Sequence, residues 1–504
     1  MSKFRPKDLS QIHTHELTPE KVNADIACFR NGFETLQVVR PATLNDGIRQ
    51  LDQKQIENLS RAYEQASVDV IKFVPSSGAA SRMFKDLHHF VNTYDPQQPL
   101  KNNLITNKLE HLFQFFEHLH ELPFYKKLSA QINVSKNKLT SDHEKFEFIQ
   151  AALAYAKLPK ALIPFHDYGD HLLTAFEEHF YEAAAYVNQD GLSKLHFTIS
   201  EFHRESFDAF LAEKIDFVSQ QTGVKFQVDF SYQSCATDTI AVNPDLSLYR
   251  DEKDELLFRP AGHGALIENL KKLDSDLIFI KNIDNVHYKP GSKDEDVNVT
   301  YKKALAGLCL DFETQIKTHI KALRSEASAS QIKTAQGFIQ SHFQVSIAED
   351  AQCLLNFLER PIRVCGMVKN EGEPGGGPFW VKTKDGEMSL QIVEKSQIDL
   401  QNGAQVQLME GATHFNPVDI VCSIKDVDGN NYKLEDFVDY DQGFIADKSV
   451  DGQPIKALEL PGLWNGGMAY WHTIFVEVPV ETFNPVKTVA DLLKPRHQSY
   501  VELR

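Results

Sequence analysis

Short apolar segments with the character of β-strands alternate with helical stretches through the first half of the chain, and this alternation restricts the fold more than any other feature. Residues 68–74 form a β-branched, apolar run that leads into a loop of small residues. Further strand-like runs follow at residues 195–199, 225–232 and 276–280. Strands that alternate with helices are typical of a mostly parallel sheet covered by helices. The sequence therefore predicts an α/β protein with a central mixed, mostly parallel sheet.

Two helical blocks interrupt this pattern, at residues 86–158 and 300–360. Both keep apolar side chains at helical spacing, and we interpret them as insertions or a lid rather than as separate domains. The chain then becomes β-rich. The predicted organisation is a helical N-terminal segment at 1–67, an α/β core at 68–299 that contains the first block, the second block at 300–360, and a β-rich C-terminal part at 361–504.

The charge of the chain excludes some classes of partner. Its 504 residues carry a formal net charge of −17 at pH 7. Proteins that bind nucleic acid or an anionic membrane surface use basic surfaces to neutralise phosphates, so neither partner is expected here. A pocket for one phosphorylated small molecule remains compatible with this charge, because it needs only a few local cations and backbone N–H groups.

Cysteine usage and the N-terminus predict a cytoplasmic protein. The six cysteines are scattered and none forms a Cys-x-x-Cys pair, which is typical of a reducing compartment. The N-terminus lacks the apolar segment of a signal peptide, and no run approaches the ~20 apolar residues of a membrane span. The sequence does not indicate an oligomeric state.

The first feature with chemical meaning is the small-residue loop that follows the strand at 68–74. Small residues allow backbone N–H groups to approach a triphosphate closely, and Arg82 follows at once to neutralise its charge. An ordinary tight turn between a strand and a helix would explain the same pattern. Neither the Rossmann nor the P-loop glycine motif occurs here, so those sites are disfavoured. The candidate loop residues are Ser76, Ser77, Gly78, Ala79 and Ala80.

Two polar side chains follow predicted strands further along the chain. Asp284 comes after the strand at 276–280, where a carboxylate is a hard oxygen ligand suited to Mg²⁺ shared with phosphates. Gln233 comes after the strand at 225–232, and its amide can donate and accept together, which suits a pyrimidine edge. The alternative for Asp284 is a surface turn residue, and for Gln233 an exposed polar residue.

The small-residue loop resembles the signature of sugar-nucleotide pyrophosphorylases, in which a strand is followed by a Gly-x-Gly-Thr-Arg-Met loop. Here Ala80 takes the place of the second glycine and Ser81 that of the threonine. The family has a Pro-Lys pair a few residues later, and the better match is Lys160, which follows a proline, rather than Lys85. The resemblance implies that residues 86–158 are inserted into the signature loop and that Lys160 binds phosphate. A solvated lysine after a helix is the alternative.

A second resemblance concerns the Gly-His-Gly run at 262–264 and the Asn-Ile-Asp-Asn run at 282–285. They are similar to the Pro-Pro-Gly-His-Gly loop and the Asn-x-Asp-Asn strand end of UDP-sugar pyrophosphorylases. The resemblance implies that Asp284 binds Mg²⁺ and the nucleotide phosphates, that Gln233 reads the uracil edge, and that the glycine run leaves room for a planar ring. The residues that it assigns to the uracil ring are Gly262, His263 and Gly264.

Two later segments, at 363–368 and 390–395, resemble the Tyr-Gly-Val-Val strand and the Val-Glu-Lys sugar site of the same family. The resemblance implies that Glu394 holds sugar hydroxyls and that Lys395 holds the sugar phosphate. The glycine-rich loop at 371–378 differs from the family form and is either a flap or a wide turn. The matches occur in chain order, and the whole chain is similar to a bacterial branch of this superfamily, which has a glycosyltransferase-A-like fold.

The resemblance implies a nucleotidyltransferase that joins a sugar 1-phosphate to a nucleoside triphosphate, expected to be UTP, and releases pyrophosphate. A phosphate monoester has a second pKa of ~6 and is already ionised near neutral pH, so no general base is needed. Catalysis would then depend on positioning and charge neutralisation. The implied contacts are the β- and γ-phosphates with Arg82, the α-phosphate with Lys160, Mg²⁺ with Asp284, and the incoming phosphate with Lys395.

Two other functions remain open at this point. A glycosyltransferase of the same fold would use a nucleotide sugar as donor and an Asp-x-Asp metal motif. Residues 274–276 (Asp-Ser-Asp) have that spacing, but they precede a strand rather than follow it. A non-catalytic nucleotide-sugar-binding protein would keep the fold without the chemistry, and Ala80 and the displaced Lys160 favour it.

Overall fold

The computed structural model describes residues 4–134, 138–169, 171–287, 293–372, 375–383, 386–450 and 452–498, without the side chains of residues 293–295. The strands are β1 (Gln37–Pro41), β2 (Thr43–Leu44), β3 (Gly47–Arg49), β4 (Val70–Pro75), β5 (Pro164–Asp167), β6 (Leu172–Thr174), β7 (Leu192–Ile199), β8 (Lys225–Tyr232), β9 (Thr239–Ile240), β10 (Phe258–Arg259), β11 (Leu277–Lys281), β12 (Ile362–Lys369), β13 (Gly377–Lys382), β14 (Met388–Val393), β15 (His414–Ser423), β16 (Phe444–Val450), β17 (Gln453–Glu459) and β18 (His472–Glu477).

The α-helices are α1 (Pro6–Thr14), α2 (Pro19–Asn31), α3 (Gln53–Gln65), α4 (Lys85–Thr93), α5 (Leu100–Thr106), α6 (Phe113–Glu117), α7 (Tyr125–Gln131), α8 (Asp142–Ala152), α9 (Ala175–Tyr186), α10 (Arg204–Thr222), α11 (Ile267–Leu270), α12 (Lys293–Ser325), α13 (Ala329–Phe343), α14 (Ala351–Leu358) and α15 (Gly403–Glu410). Within the described ranges, none of these helices has the length and apolar character needed to cross a membrane.

The chain divides into two compact units. Unit 1 comprises residues 1–70, 231–280 and 301–479, and unit 2 comprises residues 71–230, 281–300 and 480–504. The linear domain boundaries expected from the sequence do not correspond to these units and stay predictions.

Unit 1 contains six of the nine strands of the main sheet, in the order β2-β3-β18-β12-β15-β11. β12 is parallel to β18 and antiparallel to β15, so that Val364 lies between Ile474 and Val421. Both β12 and β15 are buried along nearly their whole length, as expected for interior strands. The unit also contains the sheet β1-β13-β14 and the hairpin β16-β17.

Unit 2 contains the other three strands of the main sheet, in the order β4-β7-β8. β4 and β7 are parallel, with Phe73 opposite His196. Helix α9 begins at a capping box, in which the hydroxyl of Thr174 accepts the N–H of Glu177 while the Glu177 carboxylate accepts the N–H of Thr174. The core of the unit includes contacts among aromatic rings on α9, β7 and α10, such as that of Phe176.

The predicted α/β class with a central mixed, mostly parallel sheet is confirmed. Parallel pairing joins β2 to β3, β3 to β18, β18 to β12 and β4 to β7, whereas β12 and β15 are antiparallel. The strands expected at 68–74 and 276–280 are β4 and β11, which begin one or two residues later. Both helical blocks consist of helices, α4 to α8 in the first and most of α12 to α14 in the second.

The N-terminal segment differs from the expectation of helices and loops alone. Besides α1, α2 and α3 it contains the strands β1, β2 and β3. These strands are only two to five residues long and pair with distant parts of the chain, for example Val38 with Val381 and Ile48 with Phe475. A strand this short has no periodic pattern of its own, so its partners decide its conformation.

Candidate functional site

The small-residue loop of unit 2 begins directly after β4. Ser76 is buried, and its backbone N–H donates to the carbonyl oxygen of Thr198 at 2.7 Å. The next three residues, Ser77, Gly78 and Ala79, are exposed. A Cβ placed on Gly78 would have no atom within 4 Å. The loop is therefore fixed at its start and open over its exposed part, as backbone contacts with a ligand require.

A short 3-10 helix, Ala80–Arg82, follows the loop. Ala80 is fully buried, whereas Arg82 is exposed. In the parts of the chain that the structure describes, Arg82 has no ion-pair partner. Lys85 is the exposed first residue of α4. The exposed guanidinium of Arg82 is available to an anion.

The structure brings Lys160 to the small-residue loop. Its backbone N–H donates to the carbonyl oxygen of Gly78 at 3.2 Å, and the N–H of Ala80 donates to that of Leu158, also at 3.2 Å. An isolated β-bridge joins Ala79 to the residue before Lys160. The two ends of the expected insertion therefore lie side by side, and the chain returns to the loop at the position that the Pro-Lys pattern indicated.

Asp284 lies in the turn that follows β11, and its Oδ2 accepts a hydrogen bond from the ammonium of Lys160 at 2.5 Å. The two residues are 124 positions apart in the sequence. Their side chains keep 15% (Lys160) and 21% (Asp284) of their surface exposed, so solvent and ligands reach the pair. Within unit 2 the structure thus joins three features predicted from the sequence, namely the Gly78 loop, Lys160 and Asp284.

The C-terminal segment of unit 2 fixes the backbone of the Asp284 turn. The N–H of Val486 donates to the carbonyl oxygen of Asp284 at 3.0 Å. The buried Asn484 donates its own N–H to Oδ1 of Asn285 at 2.8 Å and its side-chain amide to the carbonyl oxygen of Val286 at 3.0 Å. The sequence analysis gave this segment no role, because nothing local in it indicates a partner two hundred residues away.

A cluster of buried charges lies against the same turn. Glu182 on α9 accepts hydrogen bonds from Lys72 on β4 at 2.7 Å and from Lys281 at the end of β11 at 2.6 Å. Burial alone would raise the pKa of Glu182, but the two lysines hold it well below its ordinary value. His179, one turn earlier on α9, donates to the carbonyl oxygen of Ile283 at 3.1 Å. The cluster therefore supports the residue that precedes Asp284.

Two lysines in apolar strands are a sequence signal for this cluster. Lys72 interrupts an otherwise apolar strand, and Lys281 ends another. A lysine inside a buried strand needs an anionic partner, because an unpaired buried charge costs several kcal/mol. That requirement predicts an anionic partner for both lysines, but it does not identify Glu182 as the partner.

In unit 1, the glycines of the Gly-His-Gly run make room for the chain itself. Gly262 has a φ of +77°, and a Cβ there would lie 2.6 Å from Oε2 of Glu459. A Cβ on Gly264 would lie 2.1 Å from the carbonyl oxygen of Pro461. Residues 459–461 therefore occupy the space on the side of each glycine where a Cβ would lie. The expectation that the run leaves room for a planar ring stays a prediction. A role of the run in nucleotide binding stays a prediction.

His263 and Glu394 both interact with Trp464. The ring of His263 stacks on Trp464 at 4.4 Å between centroids, and its Nδ1 accepts the N–H of Leu463 at 3.1 Å. Burial lowers the pKa of His263 to about 4, so the ring is neutral. The Trp464 side chain also hydrogen-bonds to Glu394, whose pKa is raised by burial and by the carboxylate of Glu459. The structure thus links two of the predicted residues of unit 1, His263 and Glu394, through Trp464, and holds His263 by the chain's own groups.

Two further predicted residues of unit 1 offer unused polar groups. Nε2 of Gln233 is buried and has no hydrogen-bond partner among the described residues. Lys395 is exposed at the start of the 3-10 helix Lys395–Gln397, and no ion pair involves it in the described part of the chain. Part of the predicted flap at 371–378, residues 373–374, lies outside the described residues.

The Asp-x-Asp spacing at 274–276 is engaged in contacts at the start of β11. Oδ2 of Asp276 accepts the N–H of Asp69 at 2.9 Å, and the hydroxyl of Ser275 donates to the Asp69 carboxylate at 2.9 Å. Asp274 forms an ion pair with Lys425. These contacts give the motif a structural role.

The carboxylate of Asp284 is suited to a metal ion that binds together with a phosphorylated ligand. Among the residues whose placement is described, no group of three or more His, Cys, Asp or Glu side chains could hold a metal ion. Mg²⁺ commonly keeps several waters and is held by one or two carboxylates together with substrate phosphates. One accessible carboxylate beside the exposed Gly78 loop is compatible with that mode of binding.

Comparison with known proteins adds the following. A family model described as "Domain of unknown function (DUF4301)" matches residues 5–498. No curated protein matches. Among solved structures, UDP-glucose phosphorylase from Trypanosoma brucei is similar with 12% identity and a TM-score of 0.47, over 97% of this chain and 77% of that one. A mutant UDP-glucose pyrophosphorylase from Leishmania major, in complex with UDP-glucose, is similar with 12% identity and a TM-score of 0.46, over 98% and 79%.

Proposed function

The chain belongs to the family described as a domain of unknown function, DUF4301, and we propose that it is a nucleotidyltransferase that joins a sugar 1-phosphate to a nucleoside triphosphate, with UTP preferred. The observation that carries the proposal is the meeting of the Gly78 loop, Lys160 and Asp284 within unit 2. They supply backbone N–H groups, a cation and a hard oxygen ligand, which are the groups that triphosphate chemistry needs.

The reaction is an in-line displacement at the α-phosphorus of the triphosphate. An oxygen of the sugar 1-phosphate forms a bond to that phosphorus, and the bond from the phosphorus to the oxygen that bridges to the β-phosphate breaks. Pyrophosphate leaves with the electron pair. The attacking oxygen is already anionic, because the second pKa of a phosphate monoester is ~6. No side chain has to remove a proton, so the protein's task is positioning and charge neutralisation.

The residues of unit 2 divide this task. The exposed backbone of the Gly78 loop would contact the triphosphate, and Arg82 would neutralise its β- and γ-phosphates. Lys160, anchored to the carbonyl oxygen of Gly78 through its own backbone, would neutralise the α-phosphate. Asp284 would hold Mg²⁺, which when bound withdraws charge from the phosphates. The hydrogen bonds from Val486 and His179 keep the turn that carries this carboxylate in place.

The preference for UTP and the sugar contacts depend on unit 1. The buried Nε2 of Gln233 lacks an acceptor, and leaving such a donor unpaired costs about 1–3 kcal/mol, so a uracil carbonyl is a favourable partner. Glu394 and the exposed Lys395 would contact the sugar and its phosphate. The glycosyltransferase alternative is weaker, because the residues of its Asp-x-Asp motif are engaged within the chain.

Pyrophosphate release tests the proposal. The purified protein is incubated with Mg²⁺, UTP or ATP, and a panel of sugar 1-phosphates, with EDTA and sugar-free reactions as controls. We expect release that requires both substrates and Mg²⁺ and is faster with UTP than with ATP. UTP binding without release for any sugar 1-phosphate would contradict the enzyme and support a binding protein. Transfer of sugar from a UDP-sugar to an acceptor, without pyrophosphate, would support the glycosyltransferase.

A further inference from the structure

Unit 1 contains a polar cavity that the proposed reaction does not use. Its volume is about 450 Å³, within the range of small-molecule sites, which are ~300–1,000 Å³. The lining includes the exposed segment 34–37 and residues of β13, β14 and the 3-10 helix Tyr440–Gln442. A smaller cavity of about 190 Å³ shares Glu34, Thr35 and Gln442 with it. The larger cavity alone has room for a small-molecule ligand.

Two buried glutamines form part of the cavity wall. Gln391 is 3% exposed and Gln442 is 4% exposed, and both line the cavity. Nε2 of Gln442 donates to Oε1 of Gln391 at 3.2 Å and to Oδ2 of Asp439 at 2.9 Å. Its Oε1 accepts from Nε2 of Gln397 at 2.6 Å. Each amide is thus held in one orientation by its neighbours.

The network continues away from the cavity. Oε1 of Gln397 accepts the side-chain amide of Asn465 at 3.3 Å and the backbone N–H of Glu394 at 2.8 Å. Burying several amides is costly unless they are hydrogen-bonded to one another. A wall that is rigid before a ligand arrives reduces the entropy lost on binding. The network therefore gives the cavity the preorganisation of a binding site.

The chemistry of the wall selects the ligand. Amide groups both donate and accept hydrogen bonds, and carboxylates accept them. Such a wall matches hydroxyl groups, because each hydroxyl group both donates and accepts hydrogen bonds. Among the lining residues that the structure describes, Glu34, Asp439 and Asp441 contribute three carboxylates and Lys382 contributes one ammonium. This excess of negative charge opposes a phosphate, in contrast to the cationic Gly78 loop of unit 2.

From these observations we propose that the cavity is a binding site for a neutral polyhydroxylated ligand, of the sugar or sugar-alcohol class. The site is independent of the proposed phosphate chemistry, since none of its lining residues is assigned to the triphosphate or to the sugar phosphate.

Saturation-transfer difference NMR with glucose, maltose and myo-inositol tests the proposal on the full-length protein. Thr35→Trp fills the cavity from an exposed position that lines both cavities. Val39→Trp is the matched control, because Val39 is exposed on the same segment but does not line either cavity. Gln37→Trp, at a second exposed lining position, replaces Thr35→Trp if thermal unfolding shows that the first variant is not folded.

We expect a saturable signal from at least one probe in the wild type and in Val39→Trp, and a signal at least tenfold weaker in the cavity-filling variant. Absence of a saturable signal for all three probes would overturn the proposal, as would an equal signal in the filled variant. Glucose 1-phosphate tests the charge argument. The cavity-filling substitution is expected to remove part of the signal of each ligand. If the signal lost for glucose 1-phosphate is larger than the signal lost for glucose, the assignment to neutral ligands is overturned.

Discussion

At the scale of single residues, the carboxylate of Glu182 shows how unit 2 tolerates lysines inside its strands. It is 3% exposed and lies between the ammonium groups of Lys72 and Lys281, which are themselves buried. Tyr186 donates a further hydrogen bond to it at 3.1 Å. One carboxylate is therefore shared by two buried cations, and its loss would leave both lysines without this buried partner.

Glu182→Ala is accordingly expected to destabilise the protein strongly. Removing one partner of a buried ion pair leaves an uncompensated charge and costs about 3–5 kcal/mol. Chemical denaturation with urea measures the loss. Glu213→Ala is the control, because the Glu213 side chain is 69% exposed on α10 and its replacement should change the free energy of unfolding by less than ~0.5 kcal/mol. Equal stability of the two variants would contradict the role of the cluster.

His472 makes the stability of the protein depend on pH. Its ring contacts those of Phe343 and Phe357, and its Nε2–H donates to the carbonyl oxygen of Leu358 at 3.2 Å. Burial lowers the pKa of His472 from 6.5 to about 3. The folded state therefore resists protonation, and the stability present above pH 6.5 is lost as the pH falls from 6.5 toward 3.

The effect of His472 can be isolated by substitution. One proton taken up on unfolding changes the free energy of unfolding by about 1.4 kcal/mol per pH unit. His472→Phe should reduce the slope of unfolding free energy against pH between 6.5 and 4 by up to this amount, measured by urea denaturation at several pH values. His143→Phe, at a side chain that is 76% exposed, should leave the slope unchanged. A slope that is the same in His472→Phe and the wild type would refute the assignment.

Sequence reasoning placed some residues of the candidate site and not others. Lys160 was placed at the loop because a Pro-Lys pattern has a local signature. Asp284 was predicted from its position after an apolar strand. The contacts of Glu182 with Lys72 and Lys281 join residues 110 and 99 positions apart, and no local pattern specifies such partners.

At the scale of elements, the two candidate loops use glycine for different reasons. The Gly-His-Gly run packs against residues 459–461, so Gly264 is required by a close approach of two backbone segments. Gly78 stands in open space. The distinction could not be read from the sequence, because both glycines lie in short glycine-containing segments between a strand and a helix.

This difference predicts opposite outcomes for two alanine substitutions. In Gly264→Ala the new Cβ would lie 2.1 Å from the Pro461 carbonyl oxygen, so the backbone must shift at a cost of about 1–3 kcal/mol or more. Gly78→Ala meets no atom within 4 Å and should change stability by less than ~0.5 kcal/mol. Thermal unfolding compares the two variants directly. A melting temperature of Gly264→Ala equal to that of Gly78→Ala would show that the packing argument is wrong.

The C-terminal segment is expected to act as a positioning element for Asp284. Asn484→Ala removes the amide that holds the carbonyl oxygen of Val286 and loosens the turn. Loss of an outer partner of a metal-binding group typically costs about 10–100-fold in metal affinity or activity. We therefore expect the Mg²⁺ concentration for half-maximal pyrophosphate release to rise about tenfold in Asn484→Ala. Asn430→Ala, at an exposed turn in unit 1, should leave it unchanged.

The Mg²⁺ dependence of pyrophosphate release distinguishes a positioning role of Asn484 from a role in protein stability alone. A structural defect alone would lower the amount of folded enzyme and leave the Mg²⁺ dependence of the remainder as it was. An unaltered Mg²⁺ dependence in Asn484→Ala would therefore remove the positioning role, whatever happens to the total activity.

The elements that the sequence predicted best are those with a strong local pattern. β4 and β11 consist mostly of β-branched and apolar residues and are buried along nearly their whole length. The short strands β1 to β3 were missed, since their conformation comes from pairing with distant segments. Sequence patterns thus revealed the interior of the sheet, and tertiary pairing determined its remaining parts.

At the scale of the whole molecule, the proposed function requires an acidic chain to bind a polyanionic substrate through a few local groups. The net charge of −17 repels a free triphosphate at long range, whereas a Mg²⁺ complex carries less negative charge. In the proposed function, Arg82 and Lys160 would be the local cations and Asp284 would be the ligand for the ion. The account therefore depends most on whether Lys160, rather than Lys85, serves the α-phosphate.

The measurement that tests this most directly follows a label on the α-phosphate of UTP into a nucleotide sugar, in the wild type, Lys160→Ala and Lys85→Ala. We predict transfer of the label in the wild type with at least one sugar 1-phosphate. Turnover should fall on the order of a hundredfold or more in Lys160→Ala, as for loss of a preorganised transition-state contact, and change little in Lys85→Ala. Label that stays in UTP with every sugar 1-phosphate, or turnover that is lost in Lys85→Ala and kept in Lys160→Ala, would contradict the account.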